Sequence, residues 1–356
     1  MEPWGIAVLV VFLFLAVYFT FALIMMFKIH QKIFGVRGKD PDNPCYLQWE
    51  DFPTLKHEPF AMRKAGENRY GKPMDVTIRG YYYQDDSNRG DKGFIILSHG
   101  MFGTHLQYLC DIAYLTKAGY EVLAFDQYGV GESDGENQVS LSQGIYTLDL
   151  VIEEVEKEGV LRGRDLILYG HSWGAYCSLG ALKKHPEVKK AVLRSGPFDP
   201  IKAGLHLLKM KSKPLYYVML PWARITSLLL FGKHNAVNAA KWGDENNTTE
   251  ILALAAEDDP MVDKKNSIVT YYTKYPKANV VTFLTEKGLH NSIITEESYH
   301  TFVNKAKEYY SIVEGKEDEQ EKARRKEEFI ASLDRASYLV YQDSVKEKIL
   351  SFLQEE

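Results

Sequence analysis

The sequence is poor in cysteine and carries no excess of basic residues, and each shortage removes a class of function. Cys45, Cys110 and Cys177 are the only cysteines among 356 residues. Their odd number and wide spacing fit neither a disulfide framework nor a zinc site, so we expect no bound metal and a reducing compartment. The formal net charge is -5, and no basic stripe occurs outside one short cluster near the N-terminus, which argues against a nucleic-acid partner.

A charge-free apolar run from Trp4 to Phe27 opens the chain after a short N-terminus of residues 1–3. It is long enough at helical rise to cross a bilayer, so we predict a transmembrane helix over residues 4–27. Glu2 before the run disfavours a cleaved signal, and the lack of a polar face disfavours a buried core helix. Since nothing basic precedes the run, the positive-inside rule predicts a single-pass membrane protein with a cytoplasmic catalytic domain. Four basic residues follow the run: Lys28, Lys32, Arg37 and Lys39.

The most informative stretch is residues 166–175, LILYGHSWGA. An apolar, strand-like run leads into Gly170-His171-Ser172-Trp173-Gly174, and small residues then continue at helical spacing. A sharp turn that raises a serine hydroxyl above a sheet edge leaves no room for a Cβ on either side, which explains the two glycines. Strand, turn and helix together favour Ser172 as a catalytic nucleophile.

The apolar strand Phe94 to Ser98 ends in the glycine-rich loop of residues 99–103. Ester cleavage creates a tetrahedral oxyanion, which needs fixed N–H donors at the strand ends. We predict that the backbone N–H groups of Met101 and Trp173 form this oxyanion hole. Without the serine turn, the same loop would be read as a tight strand exit.

Two later strands end in candidate partners for the serine. The strand over residues 250–255 leads to Asp258 and Asp259, and the strand over residues 279–284 leads to His290. His290 is the expected general base, and either aspartate could hold its tautomer. We favour Asp259 from its spacing to Val262, which leaves Asp258 to cap the following segment.

Residues 197–249 form an excursion too long for a simple connection between strands, and their apolar composition predicts a helical lid that shapes an acyl pocket. Gly129-Val130-Gly131 lacks a third glycine and does not open a helix, so we reject a dinucleotide site and expect no cofactor. Asp126, at the start of this loop, is expected to satisfy backbone donors.

The chain therefore divides into a lead-in or linker (28–73), a catalytic domain (74–313) that includes the lid, and a C-terminal helical extension (314–356). The extension begins with a charge run of mixed sign, which suits a solvated helix. It ends with apolar residues at helical spacing.

Together, Ser98-His99-Gly100, Gly129-x-Gly131-x-Ser133, Gly170 to Gly174, Asp259 and His290 make residues 74–313 resemble the α/β-hydrolase superfamily. The most similar branch includes monoacylglycerol lipases and lysophospholipases. The resemblance implies an α/β fold with a mostly parallel central sheet and flanking helices. The chain departs from that branch at Gln127-Tyr128 and at Ala256, and neither departure touches Ser172, Asp259 or His290.

The favoured hypothesis is a membrane-anchored serine hydrolase that cleaves acyl esters, with lipid-like substrates suggested by the anchor and the apolar lid. A serine aminopeptidase of the same fold is the alternative, but it needs an acidic lid residue for the substrate amine, and none lies between Asp199 and Gly243. A catalytically silent membrane-bound binding protein is a third reading, disfavoured by the three candidate catalytic residues. The sequence does not determine chain-length preference, leaving group or oligomeric state.

Overall fold

A central sheet of eight strands organises the chain. The structure, a computed structural model, describes residues 2–39, 43–67, 73–232, 237–315, 318–338 and 340–355. The strand order is β1-β2-β4-β3-β5-β6-β7-β8. β1 and β2 are antiparallel to each other, β2 is antiparallel to β4, and all further pairs are parallel. The strands are β1 (Leu55–Glu67), β2 (Pro73–Asp85), β3 (Phe94–Ser98), β4 (Glu121–Phe125), β5 (Leu166–His171), β6 (Lys190–Arg194), β7 (Glu250–Ala256) and β8 (Val280–Thr285).

Helices cover both faces of this sheet. Successive residues of the buried strands serve opposite faces, as strand geometry requires: Phe94 and Ile96 belong to one apolar cluster, while Ile95 and Leu97 belong to the other. The helices are α1 (Pro3–Phe34), α2 (Leu109–Lys117), α3 (Gln143–Lys157), α4 (Trp173–Ala181), α5 (Pro200–Gly204), α6 (His206–Lys211), α7 (Lys213–Phe231), α8 (Ala239–Gly243), α9 (Ile268–Lys274), α10 (Glu296–Val313), α11 (Glu319–Ala331) and α12 (Asp343–Gln354).

This mostly parallel sheet with helices on both faces confirms the predicted fold class. The long excursion between β6 and β7, residues 197–249, contains α5 to α8. We call it the lid segment below.

The apolar run at the N-terminus forms a single helix that continues past the run to Phe34. Among the described residues, α1 is the one helix long and apolar enough to cross a membrane, with a mean hydropathy of 2.8 over its best window. A signal sequence also has these properties. Most side chains of α1 are exposed, although Ala22 and Met26 are buried.

Two of the expected domain boundaries differ from the structure. β1 lies inside the stretch expected to be a linker, and it pairs with β2 along its whole length. At the other end, α12 packs on the sheet. Its residues Val345, Ile349 and Phe352 are buried in the same apolar cluster as side chains of β3 and β5. The sheet domain therefore begins at β1, which pairs with the edge of β2, and ends with α12, which covers apolar side chains on one face of the sheet.

Candidate active site

Ser172 lies in the sharp turn between β5 and α4, with backbone angles of φ 54° and ψ −113°. Such positive φ values are unfavourable for a residue with a Cβ. A Cβ at Gly174 would collide with the carbonyl oxygen of Ser98 on β3, and a Cβ at Gly170 would collide with the carbonyl of Gly174. Both glycines are therefore needed for α4 to start so close to the sheet, and the serine hydroxyl projects from the carboxyl edge.

The structure brings Ser172, His290 and Asp259 together from three separate loops. The Ser172 hydroxyl lies 2.8 Å from Nε2 of His290. Nδ1 of His290 lies 2.9 Å from Oδ2 and 3.1 Å from Oδ1 of Asp259. The Asp259 side chain is 6% exposed and that of His290 is 24% exposed. This arrangement lets a serine pass its proton to an imidazole whose tautomer is held by a carboxylate.

Asp259 and Asp258 make different contacts, and the prediction that Asp258 caps the following segment is wrong. Oδ1 of Asp259, besides facing His290, accepts hydrogen bonds from the N–H groups of Met261 (2.7 Å) and Val262 (3.1 Å). Asp258 does not cap this turn; its Oδ1 accepts the N–H of Leu289 at 2.8 Å. Asp258 thus supports the loop that carries the histidine, because β7 and β8 are neighbours and their loops meet at the same edge.

A buried chain of hydrogen bonds links the glycine-rich loop after β3 to the loop that carries His290. The Gly100 N–H donates to the Tyr108 hydroxyl (2.8 Å), which lies 2.7 Å from Nδ1 of His171. Nε2 of His171 lies 2.9 Å from the carbonyl oxygen of His290. A carbonyl only accepts, so Nε2 carries the proton and Nδ1 accepts from Tyr108. Burial, with Arg194 and His290 nearby, holds the pKa of His171 well below its usual range and keeps the ring neutral.

Arg194, at the end of β6, also contacts the loop that carries His290. Its guanidinium is fully buried, donates to the carbonyl of Asn291 (3.0 Å) and pairs with Asp111 (3.0 Å). Burial alone would lower the pKa of Arg194, but Asp111 and the surrounding tyrosines raise it above its ordinary value. The carbonyls of His290 and Asn291 are therefore both held by buried donors, which fixes the imidazole next to Ser172.

Met101 and Trp173, whose N–H groups are predicted to bind the oxyanion, lie in the loop after β3 and at the start of α4. Trp173 is the first residue of α4, so its N–H is one of the helix N-terminal donors that lack an intrahelical acceptor. Met101 follows the β3 exit in a turn where Phe102 has φ 68°. Within the described ranges, neither N–H has a protein acceptor. Oxyanion binding by these two N–H groups stays a prediction.

The loop after β4 is stabilised by Asp126. One carboxylate oxygen accepts the N–H of His105 (3.0 Å) and faces its Nδ1 (2.8 Å), and the other accepts the N–H of Glu132 (2.9 Å). Asp126 is 1% exposed. It therefore ties the loop after β4 to the loop after β3, a supporting role. No cluster of three or more histidine, cysteine or carboxylate side chains suited to a metal ion is found in the described part of the chain.

Sequence reasoning missed Tyr108, Asp111 and Arg194. A usable indication existed for two of them, because Asp111 interrupts an apolar helix and Arg194 ends an apolar strand. Charged residues in such positions are rarely buried without a partner. Their separation along the chain hides which residues pair. Tyr108 carries no comparable indication.

Comparisons with known proteins agree with this fold. A family model described as serine aminopeptidase, S33, matches residues 90–238. A proline iminopeptidase of Saccharolobus solfataricus is 31% identical over 133 residues, which is 36% of this chain and 41% of that protein. One of Thermoplasma volcanium is 28% identical over 144 residues, or 39% of this chain and 46% of that protein. The chain thus spans less than half the length of these curated relatives.

Among solved structures, an esterase of Pyrococcus furiosus matches with a TM-score of 0.51 and 18% identity, covering 82% of this chain and 97% of that one. At this identity the likeness concerns the fold alone. The sheet, its helices and the serine turn define a protein of the α/β-hydrolase fold. This is the fold that the sequence resemblance predicted.

Proposed function

We propose that the protein is a membrane-anchored serine hydrolase that cleaves the carboxylic esters of lipid-like acyl chains. The observation that carries the proposal is the 2.8 Å contact between the Ser172 hydroxyl and Nε2 of His290, with the Asp259 carboxylate on the far side of the ring. No residue in this set needs a bound metal or cofactor for acyl transfer to a serine.

In the proposed reaction, Oγ of Ser172 attacks the ester carbonyl carbon while Nε2 of His290 takes the hydroxyl proton. Asp259 stabilises the resulting imidazolium. The N–H groups of Met101 and Trp173 bind the oxyanion. Collapse breaks the bond to the alcohol, which leaves with the proton from His290 and yields acyl-Ser172. Water, deprotonated by His290, then releases the carboxylic acid and restores the serine.

A lipid-like substrate is favoured by the surface of the lid segment. Large exposed apolar surfaces on a protein mark contact with lipids or other apolar partners. α6 and α7 carry at least six large apolar side chains that are half or nearly half exposed: Leu207, Met210, Leu215, Val218, Leu228 and Leu229.

Membrane anchoring through α1 is the second part of the proposal. α1 is exposed over most of its apolar length, and a basic cluster follows the apolar run, which favours a cytoplasmic location for the sheet domain. The middle of α1 packs on the lid segment, with the ring centroids of Phe19 and Trp222 4.3 Å apart. A helix with such contacts is favoured as a retained part of the mature protein over a cleaved signal.

The test of the ester-hydrolase proposal uses the full chain in detergent micelles. Wild type should react with a fluorophosphonate probe and hydrolyse nitrophenyl acyl esters, and Ser172→Ala should lose both. Ser311→Ala, an exposed serine on α10, is the matched control and should keep both. Turnover at the wild-type rate in Ser172→Ala would refute the assignment.

A serine aminopeptidase is the second candidate, and the names of the family model and of the two iminopeptidase relatives favour it. A peptidase of this kind needs a free carboxylate for the substrate amine. In the lid segment, no acidic residue occurs between Asp199 and Gly243. Asp199 itself pairs with Arg224 (3.1 Å) and accepts the N–H groups of Ile201 and Lys202 at the start of α5.

Matched substrates distinguish the ester-hydrolase proposal from the aminopeptidase alternative. The ester proposal predicts that acyl esters are cleaved at least 100-fold faster, in kcat/KM, than prolyl or alanyl naphthylamides. The reverse order, lost in Ser172→Ala, would establish the peptidase instead.

A further inference from the structure

The last turns of α1 do not project freely from the domain. Met26 is 4% exposed, although its neighbours Met25 and Phe27 are 37% and 46% exposed. One face of the helix is therefore covered while the opposite face stays open, as expected for a helix lying against a partner.

The lid segment covers that face. Met26 forms a buried cluster with Leu205, which follows α5, and Tyr216 on α7. Trp222 of α7 donates from its indole nitrogen to the Tyr18 hydroxyl at 3.2 Å. The apolar and polar contacts together fix α1 and α7 side by side, so the lid segment and the apolar N-terminal helix form one structural unit.

A cavity remains between this unit and the sheet domain. On the α1 side it is lined by Met26, Ile29 and Ile33, and on the lid side by Leu205 and Ala223. Its third wall includes Leu141, in the loop before α3. This lining is mainly apolar, with His30, Ser140, Thr226 and Ser227 as its polar members, so the cavity suits a hydrocarbon chain.

A hydrogen bond connects one lining residue of the cavity to the residue that follows the candidate nucleophile. The carbonyl of Leu141 accepts the indole N–H of Trp173 at 2.7 Å, and Trp173 directly follows Ser172. One wall of the cavity is thus bonded to the residue whose backbone N–H is proposed to bind the oxyanion. A chain whose ester lies at Ser172 could run along this wall towards α1.

We infer that the last turns of α1 form one wall of the acyl-chain site, with Ile33 limiting the chain length. The inference rests on the proposed ester-hydrolase function and deepens it. The membrane helix then belongs to the substrate site as well as to the anchor. No residue of α1 takes part in bond breaking, so its influence falls on the part of the substrate beyond the first few methylenes.

The experiment compares Ile33→Trp, which fills the cavity, with Phe27→Trp, which adds the same ring on the exposed face of α1. Wild type and both variants, as full chains in micelles, are assayed with nitrophenyl esters from acetate to palmitate. Displacing about two methylenes of a bound chain should lower kcat/KM for the long esters about tenfold in Ile33→Trp and leave acetate within twofold. Phe27→Trp should match wild type throughout.

Ile33→Ala tests the same site without blocking it and should keep the long esters as substrates. Equal loss for all chain lengths in Ile33→Trp, or no loss at any length, would overturn the inference.

A binding measurement separates this inference from the proposed reaction. Dansyl-labelled undecanoic acid should bind the Ser172→Ala protein, about tenfold more weakly when Ile33→Trp is added and unchanged when Phe27→Trp is added. If wild type cleaves no ester, the proposed function fails, and this binding series still decides the site. Equal binding in all three proteins would overturn the inference.

Discussion

Replacing Asp259 with asparagine should nearly abolish turnover through the tautomer of His290. The asparagine oxygen can still accept the N–H groups of Met261 and Val262, so the local turn is preserved. Its NH₂ group would face Nδ1 of His290, where the carboxylate now lies at 2.9 Å. Nδ1 would then have to accept, and the proton would move to Nε2, which could no longer take the proton of Ser172.

The expected loss follows from removing both the correct tautomer and the stabilised imidazolium. We expect kcat to fall about 10³- to 10⁴-fold with KM little changed, equivalent to about 4–5.5 kcal/mol of transition-state stabilisation. The neighbouring Asp258→Asn is the matched control. Its amide oxygen can still accept the Leu289 N–H, so kcat should fall less than about fivefold.

The assay is kcat for nitrophenyl butyrate, normalised by the protein concentration of a freshly purified sample. Circular dichroism and thermal unfolding should match wild type in both variants. A larger loss in Asp258→Asn than in Asp259→Asn would refute the assignment of the carboxylate. Retention of a tenth or more of wild-type kcat in Asp259→Asn would refute the role of the carboxylate altogether.

Three further predictions concern the support of the site. Gly174→Ala forces a Cβ into the β3 exit and should prevent soluble folding or lower the unfolding midpoint sharply, and a midpoint close to wild type would contradict the packing argument. Tyr108→Phe leaves the Gly100 N–H and Nδ1 of His171 without a partner, so urea unfolding should show a loss of about 2–4 kcal/mol. The lowered pKa of His171 stabilises the folded state above pH ~6.5; as pH falls below that value, stability should fall by up to about 1.4 kcal/mol per pH unit more than in His171→Gln. Urea unfolding of both proteins at pH 7.5, 6 and 5 measures this difference. An equal change of unfolding free energy with pH in the two proteins would contradict the prediction.

The buried parallel strands could be predicted from the sequence because each is an uninterrupted apolar run. β3 and β4 have the predicted bounds, Phe94–Ser98 and Glu121–Phe125. β1 could not be found in this way. Its sequence, LKHEPFAMRKAGE, mixes charged residues with Pro59, and proline removes a hydrogen-bond donor from a ladder. β1 tolerates this because it is an edge strand that pairs with β2 alone.

The candidate site was predictable where a residue follows a strand, since the carboxyl ends of parallel strands meet at one edge. Ser172, Asp259 and His290 each follow such a strand, and their order along the chain is informative. The supporting contacts of Arg194 and Tyr108 were not predictable. They depend on side chains from distant elements meeting inside the domain, and a single sequence carries no record of such pairs.

Backbone strain in this protein is concentrated where the candidate catalytic residues lie. A left-handed or similar conformation at a residue with a Cβ costs on the order of 1–3 kcal/mol and persists only where surrounding contacts enforce it. Here hydrogen bonds do so: the Ser172 N–H donates to the Arg194 carbonyl (2.8 Å), and the Leu289 N–H donates to the Asp258 carboxylate (2.8 Å). Five of the six described non-glycine residues with positive φ follow parallel strands at the carboxyl edge: Phe102, Ser172, Ser195, Leu289 and Ser292. The sixth, Arg162, lies at the opposite edge of the sheet.

The location of this strain has a mechanistic meaning. If these conformations were accidents of loop packing, they would be scattered over both edges of the sheet, because loops at the amino edge are equally free to adopt them. Their concentration beside Ser172 and His290 indicates that the fold gives up stability where two side chains must meet at hydrogen-bonding distance. The buried pair of Arg194 and Asp111 and the neutral His171 are then best understood as the contacts that hold this strained edge in place.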